Sequence, residues 1–279
     1  MTHRSHAPSA PDPLPIPVVD NHCHLDIARD DNPATPVTEA LAAAAAVGID
    51  RVVQIGCDLA SAAWTAEAVD LHPALLGGVA IHPNGAPDLA DSGQLDDALT
   101  QIEALAQHPR IRVIGESGLD YYRTGAGGVQ AQHESFRGHI EIAKRTGLAL
   151  QIHDRDAHDD VLRILAQEGA PDRTVLHCFS GDMAMARECV QRGYYLSFAG
   201  TVTFKNAREL RNALAVVPTQ HLLVETDAPY LTPTPHRGRT NASYLVPLTV
   251  RAMAETLNMA VPTLCRALSD NSEAVYGQW

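Results

Sequence analysis

The sequence predicts a TIM-type (β/α)8 barrel with extra short C-terminal helices, and three observations carry that expectation. Eight apolar runs of strand length follow one another along the chain, segments with helical periodicity lie between them, and five of the runs finish directly on His, Glu or Asp. The runs are 18–20, 51–56, 76–81, 112–116, 148–153, 174–177, 194–198 and 222–226. They are apolar on both faces, as expected where one side fills a barrel interior and the other packs on a ring of helices. Between them, Leu95, Leu99, Ile102 and Leu105 share one helical face, Phe136, Ile140 and Ala143 another, and Leu210, Leu214 and Val217 a third. Gly48, Gly147 and Gly193 stand after helical segments and just before strands, where a left-handed cap is expected, and Thr35-Pro36 reads as an N-cap followed by a first-turn proline. From Tyr244 the sequence reads as a last barrel helix to Asn258, then two short helical pieces around Leu264 and Val275.

The other fold that alternates strands and helices, the doubly wound open sheet, usually serves nucleotides through a glycine-rich turn after its first strand. Neither G-x-G-x-x-G nor G-x-x-x-x-G-K-[ST] occurs. At 279 residues and 45% hydrophobic, the chain suffices for one large core, so residues 18–279 are expected to form a single barrel domain. Residues 1–17, with Pro8, Pro11, Pro13, Pro15 and Pro17 and no apolar signal region, read as a flexible leader outside the fold. No stretch spans a bilayer, which argues against a membrane role. The five cysteines are widely spaced and include no C-x-x-C pair; no disulfide framework follows, and a reducing cytoplasm is the expected location. A net charge of -12 excludes broad electrostatic binding to nucleic acid, though not a cation-filled site. No obligate protein partner is evident.

The five runs that end on ligating residues are Val18 to His24, Val113 to Glu116, Ala149 to His153, Val175 to His177 and Leu222 to Asp227. A parallel barrel gathers all its strand C-termini at one mouth, so His22, His24, Glu116, His153, His177 and Asp227 would meet there. His22 and His24 are one residue apart, and the strand period of two turns both imidazoles to one face. Mixed imidazole and carboxylate ligands suit Zn²⁺ or Mn²⁺, with Mg²⁺ also open. Two divalent cations about 3.5–4 Å apart can share a carboxylate, and Glu116, midway in strand order, is the natural bridge.

These segments carry a family resemblance. Asp20-Asn21-His22-Cys23-His24-Leu25-Asp26, Gly115-Glu116-Ser117-Gly118-Leu119-Asp120-Tyr121, His153-Asp154-Arg155-Asp156-Ala157, Leu176-His177-Cys178-Phe179-Ser180-Gly181 and Glu225-Thr226-Asp227-Ala228-Pro229-Tyr230-Leu231 resemble the signatures of the TatD family of metal-dependent deoxyribonucleases, within the amidohydrolase superfamily. The resemblance runs from Val18 to the C-terminus. It implies an amidohydrolase-like barrel and a 3′-to-5′ exonuclease on single-stranded DNA, with RNA as a second possible substrate, cleaving phosphodiesters with a metal-activated water. By motif position, His22, His24, Glu116 and Asp227 would hold one metal, Glu116, His153 and His177 the other, and Asp227 would act as base.

Neighbouring residues are expected to assist. Arg155, two after His153, would clamp a phosphate unless it pairs with Asp154 or Asp156. His82, before Pro83, would either bind substrate or cap its loop. Glu225 and Tyr230 flank Asp227, to orient it or to pack, with Tyr230 also a substrate contact. Cys23 and Cys178 adjoin ligands but alternate away from them. The family commonly carries Arg-Asn-Glu-Pro after the eighth strand, where this chain has Arg239-Thr240-Asn241-Ala242-Ser243, which puts substrate contacts from that loop in question. With aromatics at only 5%, no ladder for base stacking is visible. The competing activity on the same scaffold is an esterase or amidase, such as a D-aminoacyl-tRNA deacylase, because activated water attacks a carbonyl as well as phosphorus. A third reading, a non-catalytic metal-stabilised scaffold, gives no reason for a bridged pair of ions at an open mouth.

Overall fold

A computed structural model describes residues 7–29 and 34–279. Eight strands form one sheet: β1 (Val18–Cys23), β2 (Ile49–Gly56), β3 (Leu75–Val79), β4 (Ile111–Asp120), β5 (Ala149–Arg155), β6 (Thr174–Leu176), β7 (Tyr195–Phe198) and β8 (Leu222–Val224). They lie in sequence order, each hydrogen-bonded in parallel to the next. Every strand read from the sequence is present, with ends shifted by a few residues.

Adjacent residues on each strand enter different cores, which is why both faces had to be apolar. Val19, Val53, Leu76, Val113, Val175 and Leu223 fill the barrel interior. Their neighbours Val18, Val52, Leu75, Ile114, Leu176 and Leu222 pack outward under the helices. Gly78 follows from close packing in this sheet: a Cβ there would lie 2.5 Å from Ile55 Cδ1.

Closure between β8 and β1 rests on side chains more than on a ladder. Asn21 Nδ2 donates to Val224 O at 2.8 Å, and the buried Asp20 carboxylate accepts from Thr226 N at 2.8 Å and Thr226 Oγ1 at 2.7 Å. Above them, His24 N donates to Ala228 O and Asp227 N to His22 O. The seam therefore ties the His22–His24 segment to Asp227 directly.

Several expectations need correction. In residues 7–17 the leader lies against the barrel: Leu14 is buried and its N–H donates to Val47 O, while Tyr244 OH donates to Pro8 O and Arg251 to Asp12 O. Extended, proline-rich backbone leaves its carbonyls free to accept from such donors. Residues 1–6 of that leader lie outside the described residues. Pro36 itself occupies the N-cap of the Val37–Ala45 helix, so Thr35 precedes the cap. The two short C-terminal pieces are one helix, Val261–Tyr276, whose Leu264, Leu268 and Val275 are buried along one side. Gly48, Gly147 and Gly193 do adopt positive φ. No helix among the described residues is long and apolar enough to cross a membrane.

Candidate metal centre

The mouth of the barrel assembles around Glu116. The β4–β5 register shifts between Ile114 and Ser117, so Glu116 sits on an irregularity of the kind that re-aims a side chain. β4 then continues to Asp120. Gly118, with φ of 137°, lets β4 pass β5 here: a Cβ would lie 2.1 Å from His153 O.

Glu116 turns one oxygen to each pair of histidines. Its Oε1 lies 3.7 Å from His22 Nε2 and 3.4 Å from His24 Nε2. Its Oε2 lies 3.2 Å from His153 Nδ1 and 2.7 Å from His177 Nε2. Asp227 Oδ1 closes the first group, 3.8 Å from His22 Nε2 and 3.5 Å from His24 Nε2. Thus all six expected ligands converge, in two groups that share one carboxylate. Asp227 stands beyond the end of β8 with φ of 54°, a left-handed position that a short polar side chain tolerates.

The outer nitrogen of each imidazole is already engaged. His22 Nδ1 lies 2.7 Å from Gln151 Oε1, His24 Nδ1 2.9 Å from Ile55 O, His177 Nδ1 3.2 Å from Glu225 Oε1, and His153 Nε2 3.1 Å from Asp120 Oδ2. Each partner is an acceptor, so these nitrogens carry a proton and turn the opposite nitrogen to the centre, where a second proton and a metal ion compete for its lone pair. His22 Nε2 and His24 Nε2 then face one another at 3.2 Å. Two lone pairs at that distance repel unless a proton or a metal ion lies against them, and imidazoles with carboxylates are a donor set that suits a divalent metal ion. The residues present therefore fit the metal.

The electrostatics have the same cause. Burial disfavours charge on Glu116, but His177, His82 and His22 outweigh it and hold its carboxyl well below the usual range. Burial likewise opposes a charge on His177, and Glu116 and Glu225 prevail, lifting it well above an ordinary imidazole. His153 is raised against burial by Asp120 and Glu116. Burial pushes the Cys57 thiol up to about 12, so it stands uncharged with Sγ 3.3 Å from Glu116 Oε1. That leaves Asp227 and Glu116 as the charges that raise His24 against its burial. A centre so rich in buried negative charge takes up cations, protons and metal ions in competition.

His82 belongs to the mouth in a different way. Its Nδ1 accepts from Asn84 N at 3.1 Å, so Nε2 carries the proton and points at Glu116 Oε2, 3.9 Å away. It caps its loop and reaches the site at once, as a donor rather than a ligand, although it groups spatially with Glu116 and His153. Burial lowers its pKa to about 4, which keeps it neutral. Glu225 orients His177, not Asp227, and also accepts from Cys178 N at 2.8 Å. The Asp227 turn is instead pinned by Asn241, whose Nδ2 donates to Thr226 O and Tyr230 O. Arg155 stacks on Tyr122, 3.9 Å from the ring, and among the described residues forms no salt bridge with Asp154 or Asp156. Tyr230 is 42% exposed, with its ring 6.4 Å from His24 and 6.0 Å from the Arg29 guanidinium.

Sequence reasoning missed Asp120, Cys57 and Gln151. Asp120 lay inside a quoted motif, but β4 was expected to stop at Glu116. Also unforeseen are the arginine–aromatic pairs around the mouth, Arg155 at the end of β5 on Tyr122, Arg29 near Tyr230 and Arg237 on Phe204. A cavity of about 360 Å³, lined by His24, Arg29, Asn241 and Tyr244 among others, opens beside the centre.

Comparison with known proteins agrees with this geometry. The family model described as TatD related DNase matches residues 19–277. A relative from Mycobacterium tuberculosis, the uncharacterized metal-dependent hydrolase TatD, is 46% identical over 93% of this chain and 98% of its own length. The uncharacterized metal-dependent hydrolase YcfH of Escherichia coli is 36% identical over 91% of this chain and 93% of its own. Among solved structures, YJJV, a TatD homolog from Escherichia coli, superposes with a TM-score of 0.85 at 24% identity, covering 94% of this chain and 98% of that one; this likeness concerns the fold.

Proposed function

We propose that this chain, which belongs to the TatD-related DNase family of metal-dependent hydrolases, cleaves nucleic-acid phosphodiesters as a 3′-to-5′ exonuclease on single-stranded DNA, with RNA as a second substrate. The observation that carries the reading is the sharing of Glu116: one oxygen faces His22 and His24, the other His153 and His177. Two divalent cations, Mg²⁺, Mn²⁺ or Zn²⁺, are assigned to these groups. Asp227 completes the first, with His22, His24 and Glu116; Glu116, His153 and His177 form the second. When bound, such ions supply Lewis acidity that lowers the pKa of water and offsets charge on the phosphate.

The side chains do the rest. Asp227 Oδ1 faces the two imidazoles, which leaves Oδ2 to take the proton of the attacking water. Phosphorus gains the water oxygen, the bond to the 3′ oxygen of the preceding nucleotide breaks, and that oxygen takes a proton from solvent. His82 offers Nε2–H to a phosphate oxygen. Arg155 supplies a fixed positive charge beside it. Tyr122 and Tyr230 are the exposed aromatic rings of the rim, and rings paired with guanidinium groups suit bases and phosphates respectively. This rim favours a nucleic-acid strand over a small acyl ester.

The test is degradation of a 5′-labelled single-stranded oligonucleotide by the wild type and Glu116→Ala in Mg²⁺, Mn²⁺ or chelator. A metal-dependent ladder shortening from the 3′ end, lost in the variant, is expected. No cleavage by metal-loaded wild type, with hydrolysis of an aminoacyl-tRNA ester instead, would overturn the nuclease reading.

A further inference from the structure

Gln151 is a fully buried amide in the middle of β5, opposite Val175 of β6. Burying an amide there is costly unless all its hydrogen bonds are made. They are made in one arrangement only. Nε2 lies 2.8 Å from Asn21 O and 2.8 Å from Tyr276 OH, and Oε1 lies 2.7 Å from His22 Nδ1. A backbone carbonyl can only accept, so the amide nitrogen must face Asn21. The oxygen is thereby turned to His22, whose Nδ1 must hold the proton.

The other three inner imidazoles are oriented by a carbonyl or a carboxylate, groups that accept whichever way they turn. His22 alone depends on an amide, which would present N–H to Nδ1 if rotated by half a turn. His22 would then carry its proton on Nε2, pointing at His24 and Glu116 where a cation has to sit. Asn21 O opposes that rotation, and Tyr276 OH accepts the second hydrogen of the amide in the observed arrangement. Tyr276 is the last residue of the Val261–Tyr276 helix and packs into the barrel interior from the end opposite the mouth.

We infer that Gln151, oriented by Asn21 O and held in place from beneath by Tyr276 OH, is a positioning residue that sets the His22 tautomer for metal binding, and that the last helix thereby takes part in the metal site from the floor of the barrel. This rests on the proposed role of His22 as a ligand. Two readings test it without using activity. The first is the His22 tautomer, from long-range ¹H–¹⁵N correlation on ¹⁵N-histidine-labelled, metal-free protein at a pH above the imidazole range. The second is zinc affinity, from competition with a chromophoric chelator.

In the wild type the proton is expected on Nδ1, with Nε2 bare. Gln151→Met is expected to weaken zinc binding about 10- to 100-fold, the usual effect of removing a ligand's outer partner, and to move the His22 proton toward Nε2. Tyr276→Phe is expected to do the same more weakly, about fivefold, as for one lost hydrogen bond. Wild-type protein with the proton on Nε2 overturns the inference, whether or not the Gln151 variant folds. So does a Gln151→Met or Tyr276→Phe protein that binds zinc like the wild type, or that loses zinc with the His22 tautomer unchanged. Absence of nuclease activity alongside the expected zinc and tautomer results would count against the proposed function and leave this inference standing.

Discussion

Along the same eight strands, the floor and the mouth of the barrel are built on opposite principles. At the floor, Val19, Val53, Leu76, Val113, Val175 and Leu223 meet Val275 and Tyr276 in a core held by many interchangeable contacts. At the mouth, His22, His24, Glu116, His153, His177 and Asp227 each depend on one or two named partners. Removing a methylene from the floor leaves the remaining contacts in place. Removing one group at the mouth leaves its partners buried and unpaired. Stability is therefore concentrated in the floor, and chemistry in the mouth.

The sharpest way to break that contrast is Glu116→Ala, which removes the group both halves of the centre share. Its kcat/KM on an oligonucleotide should fall by at least about 10³-fold, roughly 4 kcal/mol, with the far-UV circular dichroism unchanged. Asp227→Asn should lower kcat by about 10²- to 10⁴-fold, because the proposed proton acceptor is gone. At the floor, Leu76→Ala should destabilise the fold by about 2–5 kcal/mol in urea titrations and leave kcat at low temperature close to the wild type.

A buried imidazole away from the mouth sharpens the comparison further. His139 accepts from Ile81 N and donates to Ser135 O, with no carboxylate beside it among the described residues, and burial lowers its pKa to about 4. His177, equally buried but between two carboxylates, moves the other way. Because the folded pKa of His139 lies below the unfolded value near 6.5, its contribution is complete above about pH 6.5 and is lost as pH falls through about 4. That loss, up to about 3 kcal/mol, should appear as a falling urea midpoint between pH 7 and 4.5, and His139→Gln should flatten the fall. The smallest effect belongs to the rim: Tyr122→Ala should raise KM for single-stranded DNA by the equivalent of about 1–3 kcal/mol with kcat little changed.

What was legible in the sequence follows the same division. The strands could be read because each needed apolar residues on both faces, and the convergence of His22, His24, Glu116, His153, His177 and Asp227 because they stand toward the strand C-termini or just past them, where topology alone brings them together. The groups that orient those side chains could not. Asp120 reaches His153 only because β4 continues past its irregularity, Gln151 reaches His22 across 129 residues of sequence, and Glu225 serves His177 although it lies two residues from Asp227. The arginine–aromatic rim was hidden because its partners come from distant parts of the chain. Residues 7–17 were misplaced because proline spacing reports an extended backbone and not whether that backbone finds donors.

The central claim is that four imidazoles are held with one bare nitrogen each around a carboxylate shared by two cation sites. Metal content per chain after dialysis, with calorimetric titration of Zn²⁺ or Mn²⁺ into the stripped wild type and Glu116→Ala, tests it most directly. The account predicts about two ions per chain in the wild type, both weakened together when Glu116 is removed. A wild-type chain that binds no divalent ion, or a variant that loses neither, would contradict it.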